Sequence, residues 1–106
     1  MDLDTLLGLL VREKGADLHL CAGEPPVMRV QRAIRRTRLP ELSAAQVSGM
    51  LKQVAGPDRW RRFEAELELD FAYALPGVGR FRVNIYMEHD HPAACLHHIP
   101  SSVQTI

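Results

Sequence analysis

Two runs of alternating apolar and polar residues meet at Pro76-Gly77-Val78-Gly79, and this pattern limits the fold more than any other part of the chain. Successive side chains of a strand point to opposite faces. In the first run that puts Leu69, Phe71, Tyr73 and Leu75 on one side, and in the second Phe81, Val83, Ile85 and Met87. Two such runs around a Pro-Gly turn predict an antiparallel hairpin. The same alternation gathers Arg80, Arg82 and Asn84 on the opposite face. Two guanidinium groups about 6.6 Å apart, at roughly 3.3 Å per residue, can hold an anion such as a phosphate. The plainer reading of those three residues is a solvated strand face.

The other elements follow from periodicity. Leu3, Leu6, Leu7, Leu10 and Val11 form one helical stripe, with Asp2 and Asp4 suited to its start and Gly15 to its end. Ala16 to Cys21 reads as a strand with Leu18 and Leu20 inward. Gly23-Glu24-Pro25-Pro26 reads as a loop. Val27 to Gln31 and Ala33 to Thr37 read as two strands around Gln31-Arg32. That turn is awkward, because tight hairpin turns prefer Gly or Asn at positive φ. Ser43-Ala44-Ala45-Gln46 fits a capping box, followed by the stripe Val47, Met50, Leu51 and Val54 and the stop Gly56-Pro57. Asp58 to Ala65 reads as a third helix with Trp60 and Phe63 inward, and Ala93 to Ile99 as a last strand. The order αβββααβββ implies an α+β fold: a mostly antiparallel six-stranded sheet with three helices on one side.

At 106 residues the chain is expected to form a single domain, 1–106. Its formal net charge is zero, so no global field draws nucleic acid or an anionic membrane. The basic residues are nonetheless clumped: Arg29, Arg32, Arg35, Arg36 and Arg38, then Arg59, Arg61 and Arg62. The acids gather at Glu64, Glu66, Glu68 and Asp70. This asymmetry suits a chain that meets copies of itself or another domain. Cys21 and Cys95 are too few for a disulfide framework. The acidic start Met1-Asp2-Leu3-Asp4 is unlike a secretory signal, and no apolar run is long enough to span a bilayer. The expected location is cytoplasmic.

Four kinds of chemistry can be weighed. No Gly-rich phosphate loop ending in Gly-Lys-Ser/Thr is present, so the chain alone is expected to hydrolyse no ATP and to hold no cofactor. His89-Asp90-His91 and His97-His98 are zinc-ligand residue types. Adjacent strand residues point apart, however, so only one of His97 and His98 can join a given site. No metal ligand is assigned. Cys95 with a neighbouring histidine could be drawn as a nucleophilic dyad, against the commoner buried structural cysteine; no catalytic residue is assigned. Trp60 with Arg59, Arg61 and Arg62 could stack on a base, but at helical spacing Trp60 and Phe63 read as core, and no nucleic-acid partner is expected. Asp70 and Glu68 are expected to pair with Arg80 or Arg82 across the hairpin.

Five segments together resemble the N-terminal domain of the PilT-type twitching-motility ATPases, in the superfamily of type IV pilus and type II secretion motors. They are Met1 to Leu7, Gly15 to Gly23, Pro25 to Val30, Glu68 to Asn84, and Ile99-Pro100-Ser101-Ser102. The resemblance implies a PAS-like N-terminal domain, followed in such proteins by a RecA-like ATPase domain that binds ATP and Mg. That second domain is expected downstream and is absent from this chain. The resemblance further implies a homohexamer, contact with inner-membrane platform proteins of a pilus or secretion machine, and a place for Arg80 and Arg82 near the nucleotide site of the assembled motor. Three positions depart from the family pattern. Gln31-Arg32 replaces Asp-Gly, Asp90 stands where an Arg is frequent, and His97 stands at another such position. The alternative reading is a stand-alone PAS-like small-molecule-sensing or protein-interaction domain, which an apolar pocket between sheet and helices would mark.

Overall fold

The computed structural model of the chain describes residues 2–100; Met1, Ser101 and Ser102, which belong to the resembling segments, lie outside the described residues. Helix α1 (Leu3–Arg12) buries Leu3, Leu6, Leu7 and Leu10, four of the five stripe residues. Asp2 caps it by accepting from the Thr5 N–H at 2.8 Å. Gly15 does not end this helix. Lys14 takes the left-handed position instead, with φ 59°. Gly15 opens strand β1 (Gly15–Leu20), and a Cβ there would stand 2.5 Å from Leu10 Cδ1. Glycine is needed here for close approach of strand to helix, not for helix termination.

Strands β2 (Val27–Val30) and β3 (Ala33–Arg36) pair with Val30 opposite Ala33, so Gln31-Arg32 is the whole turn. The expected awkwardness is visible in Gln31, which sits at φ 56°. Helix α2 (Ala44–Ala55) carries the anticipated capping box. Ser43 Oγ accepts from the Gln46 N–H at 3.1 Å, and Gln46 Oε1 accepts from the Ser43 N–H at 2.8 Å. Gly56, at φ 85° and ψ 165°, both ends α2 and starts α3 (Pro57–Glu66), where Pro57 takes the first turn.

Strands β4 (Glu68–Leu75), β5 (Gly79–Glu88) and β6 (His91–Ile99) complete the order αβββααβββ. Strand β6 begins two residues before the predicted Ala93. His89 (φ 51°) and Asp90 (φ 67°) alone make the turn, both at positive φ as a two-residue mirror turn requires, so His91 and Pro92 join the strand.

The sheet order is β3-β2-β1-β6-β5-β4, with every neighbouring pair antiparallel. The first and last strands therefore lie side by side at its centre. One face is apolar: Leu18, Leu20, Met28, Leu69, Phe81, Val83, Ile85 and Leu96 are buried there. α1 lies on β1, α2 on β6, and α3 against β4. This is an α+β, PAS-like sheet with its helices on one face. Trp60 and Phe63 are buried, with ring centroids 5.1 Å apart, as their helical spacing suggests. No helix among the described residues is long and apolar enough to cross a membrane.

Candidate functional site

The face of the sheet without helices carries the polar chemistry. The strand registers align one residue from each strand in a single row. From β4 to β3 it reads Ala72, Arg82, His97, Asp17, Arg29 and Ile34. Alternation produces this row: each member flanks a residue that points into the core, as Asp17 flanks Leu18 and Arg82 flanks Phe81 and Val83.

Asp17 anchors the row and is the only buried charged residue among those described, at 6% exposure. Its Oδ2 accepts from Arg29 Nε at 2.5 Å, and its Oδ1 meets His97 Nδ1. Burial alone would push this carboxyl up. The hydrogen bonds from His97 and Arg29 outweigh it and hold the group below the ordinary carboxylate range. Because an ionised carboxylate only accepts, the His97 proton sits on Nδ1.

Arg82 belongs to a second pair. Its Nε donates to Asp70 Oδ1 at 3.2 Å and its Nη2 to Asp70 Oδ2 at 2.7 Å, the cross-hairpin pairing expected from sequence. These hydrogen bonds lower the Asp70 carboxyl and raise the Arg82 guanidinium. An anion arriving at Arg82 must share it with Asp70. Arg80 sits one step nearer the end of the sheet, opposite Ile99, exposed and in no ion pair with a described residue. Glu68, at the far end of β4 opposite Tyr86, pairs with neither arginine. The two arginines therefore differ: Arg80 is an available cation and Arg82 a bridged one.

The histidines divide as the strand geometry requires. His97 joins Asp17 on the open face, whereas His98 turns to the core side, its ring centroid 5.2 Å from that of Phe81. His19 meets Cys95 across β1 and β6, with Nε2 4.0 Å from Sγ. Burial pushes the Cys95 thiol up, the reverse of what an activated nucleophile needs. Among the described residues, no three His, Cys, Asp or Glu side chains converge as a metal site.

The space between sheet and helices is filled by Leu6, Leu7, Leu10, Leu18, Leu51, Phe81, Val83, Ile85 and Leu96, all fully buried. A groove of about 720 Å³ lies outside that layer, between α2, α3 and the β5–β6 turn, lined by Gly49, Trp60, Phe63, Leu67 and Met87 among others. It opens to solvent, where the sensor reading needs an internal chamber.

Sequence reasoning missed the partnership of Asp17, Arg29 and His97. The alternation around Asp17 and Arg29 was legible, but Asp17 and His97 meet only because β1 pairs with β6, and local patterns do not announce that pairing.

No family model matches the chain. Over all 106 residues it is 39% identical to the type IV pilus retraction ATPase PilT of Pseudomonas aeruginosa, of which it spans 31%. Over 81 residues, 76% of this chain, it is 40% identical to a twitching motility protein of Neisseria gonorrhoeae, of which the match spans 22%. Among solved structures, the pilus retraction motor PilT with bound ADP superposes at a TM-score of 0.89 and 24% identity, covering 98% of this chain and 31% of that one. The Legionella pneumophila ATPase DotB superposes at 0.80 and 22% identity, covering 93% of this chain and 28% of its own. At these identities the superpositions establish the fold. The chain spans less than a third of the length of the relatives it matches.

Proposed function

We propose, taking as premise that this chain is the counterpart of the N-terminal domain of the PilT-type twitching-motility ATPases, that it is the assembly domain of a hexameric pilus-retraction or secretion ATPase. The observation that carries this reading is the 39% identity sustained over the whole chain against a domain-sized share of a retraction ATPase. In the intact motor a RecA-like domain follows, and it binds ATP and Mg. The present domain offers surface to that RecA-like domain and to neighbouring subunits of the homohexamer. The motor works at the cytoplasmic side of the inner membrane, against the platform proteins of its pilus or secretion machine.

Arg80 and Arg82 are the residues assigned to the nucleotide side. They stand on the polar face of β5, and Arg80 is paired with Ile99, next to the point where the chain leaves the sheet. A domain continuing from that end starts beside them. Arg80 is open to a phosphate; Arg82 reaches one by sharing its guanidinium with Asp70.

The test is Arg80→Ala and Arg82→Ala in the full-length protein with its RecA-like domain. Loss of a charge-assisted contact to phosphate costs about 1.5–3 kcal/mol, roughly tenfold or more in rate. ATPase activity should fall by that factor while the melting temperature of this domain holds. Removing Arg82 also strands Asp70, and the double variant with Asp70→Ala separates the two effects. Unchanged hydrolysis in both arginine variants overturns the assignment.

A further inference from the structure

We propose that the free edge of strand β3 is a docking site for an extended acidic segment of a partner protein, which adds to the sheet as a seventh strand. Two independent observations meet there. The first is backbone geometry. β3 is the outermost strand on its side of the sheet. The Thr37 N–H donates to the Pro26 carbonyl at 3.0 Å. Bonded and non-bonded pairs alternate along an antiparallel ladder. Counting from that bond through the observed register, Met28 and Arg35 form a bonded pair, while Val27 with Arg36 and Arg29 with Ile34 form non-bonded ones. The N–H and C=O groups of Ile34 and Arg36 therefore point away from β2, toward the side where no described strand lies. They present the hydrogen-bonding edge that an added strand uses.

The second observation is charge. Residues 29–38 hold five arginines and no acid in a chain whose formal net charge is zero. Arg29 is engaged by Asp17 and Arg36 by Glu24. Arg32, Arg35 and Arg38 have no acidic partner among the described residues. All four residues of β3 are exposed, and Ile34, at 64%, stands out between the arginines on the open face of the sheet. Charged edges ordinarily keep sheets from pairing with one another. A run of one sign refuses a basic or neutral strand and accepts an acidic one, so the same arginines that guard the edge select its partner. A lipid headgroup could neutralise the arginines but has no ladder of peptide groups to offer Ile34 and Arg36. The edge therefore favours a peptide over a membrane. An apolar residue alternating with the acids would cover Ile34.

The experiment uses this chain and a fluorescein-labelled peptide of alternating Glu and Val. Anisotropy should report binding at low salt that weakens at least tenfold at about 0.5 M salt, where the screening length is only a few ångströms. The matching Lys-Val peptide should not bind. In the complex, amide hydrogen exchange at Ile34 and Arg36 should slow at least tenfold, while Ala33 and Arg35, already bonded to β2, change little. The double variant Arg35→Glu with Arg38→Glu should abolish binding without altering the far-UV spectrum. No binding of the acidic peptide at low salt overturns the proposal. So does binding that leaves the Ile34 and Arg36 amides unprotected, which would mark a purely electrostatic contact. Capture of the chain by phosphatidylglycerol vesicles without peptide binding would assign the arginines to a membrane and overturn it as well.

Discussion

Replacing Asp17 with Asn tests whether charge, and not shape, holds the row across the open face. The substitution keeps size and one acceptor oxygen. It takes the negative charge out of the two hydrogen bonds that Asp17 accepts, from Arg29 and from His97. A bond to a charged group contributes about 1.5–3 kcal/mol and a neutral one about 0.5–1.5; because Arg29 stays charged, the gross loss is at most roughly 2–3 kcal/mol. Part of that returns, because Asp17 is buried while Arg29 and His97 have side chains 40% and 51% exposed and can rehydrate. The expected net loss is about 1–2 kcal/mol, a fall in Tm of roughly 4–16 °C for a domain near this size. The pH dependence carries the sign. The Asp17 carboxyl is lowered from its ordinary 3.8. Its stabilisation is therefore complete above that value and is lost as pH falls through it toward the folded-state value. Thermal melts followed by far-UV circular dichroism should show the full gap between wild type and Asp17→Asn at pH 7. The gap should narrow steadily as the pH falls below about 4. A Tm unchanged at pH 7, or a gap of constant size down to about pH 2, would refute the charge argument.

Phe81→Ala should cost about 3–5 kcal/mol, because the ring is fully buried. Arg82→Ala should leave stability nearly unchanged, since its pair with Asp70 is largely exposed; urea melts of the two variants give the comparison. Gly56→Ala should lose about 1–3 kcal/mol, because φ 85° with ψ 165° is open essentially to glycine alone. A loss below 0.5 kcal/mol in calorimetry would contradict that. Tyr73 is pushed up to about 12, first by burial and then by its hydrogen bond to Asp4 at 2.7 Å. Its contribution to stability is therefore present below pH 10 and lost as pH rises toward 12. Absorbance at 295 nm should show phenolate appearing well above pH 10, and Asp4→Asn should bring part of it earlier.

The sequence disclosed what depends on neighbours along the chain. The helical stripes, the capping box at Ser43 and Gln46, the polar face of β5 and the Asp70–Arg82 pair all follow from spacing within one hairpin or one helix. What it concealed depends on the order of strands in space. Asp17 and His97 meet because the first and last strands are neighbours, and the same pairing brings His19 to Cys95. Gly15 misled for a different reason: a glycine after a helix suits a cap, but the left-handed turn fell to Lys14 and the glycine served a tight helix–strand approach. The last strand started early because Asp90 tolerates positive φ well enough to complete a two-residue turn.

Gly56 also has a mechanical meaning. A single residue serves as the end of one helix and the beginning of the next, so α2 and α3 share an elbow with no slack. Linkers of several residues absorb a push by bending; this joint has only one pair of backbone torsions, held where glycine alone fits comfortably. Because α3 packs on β4 at the sheet edge and α2 on β6 at its middle, a displacement imposed on α3 is expected to reach α2 more directly than a loop would allow. Inserting two or three flexible residues at the elbow would cost modest stability but decouple its arms.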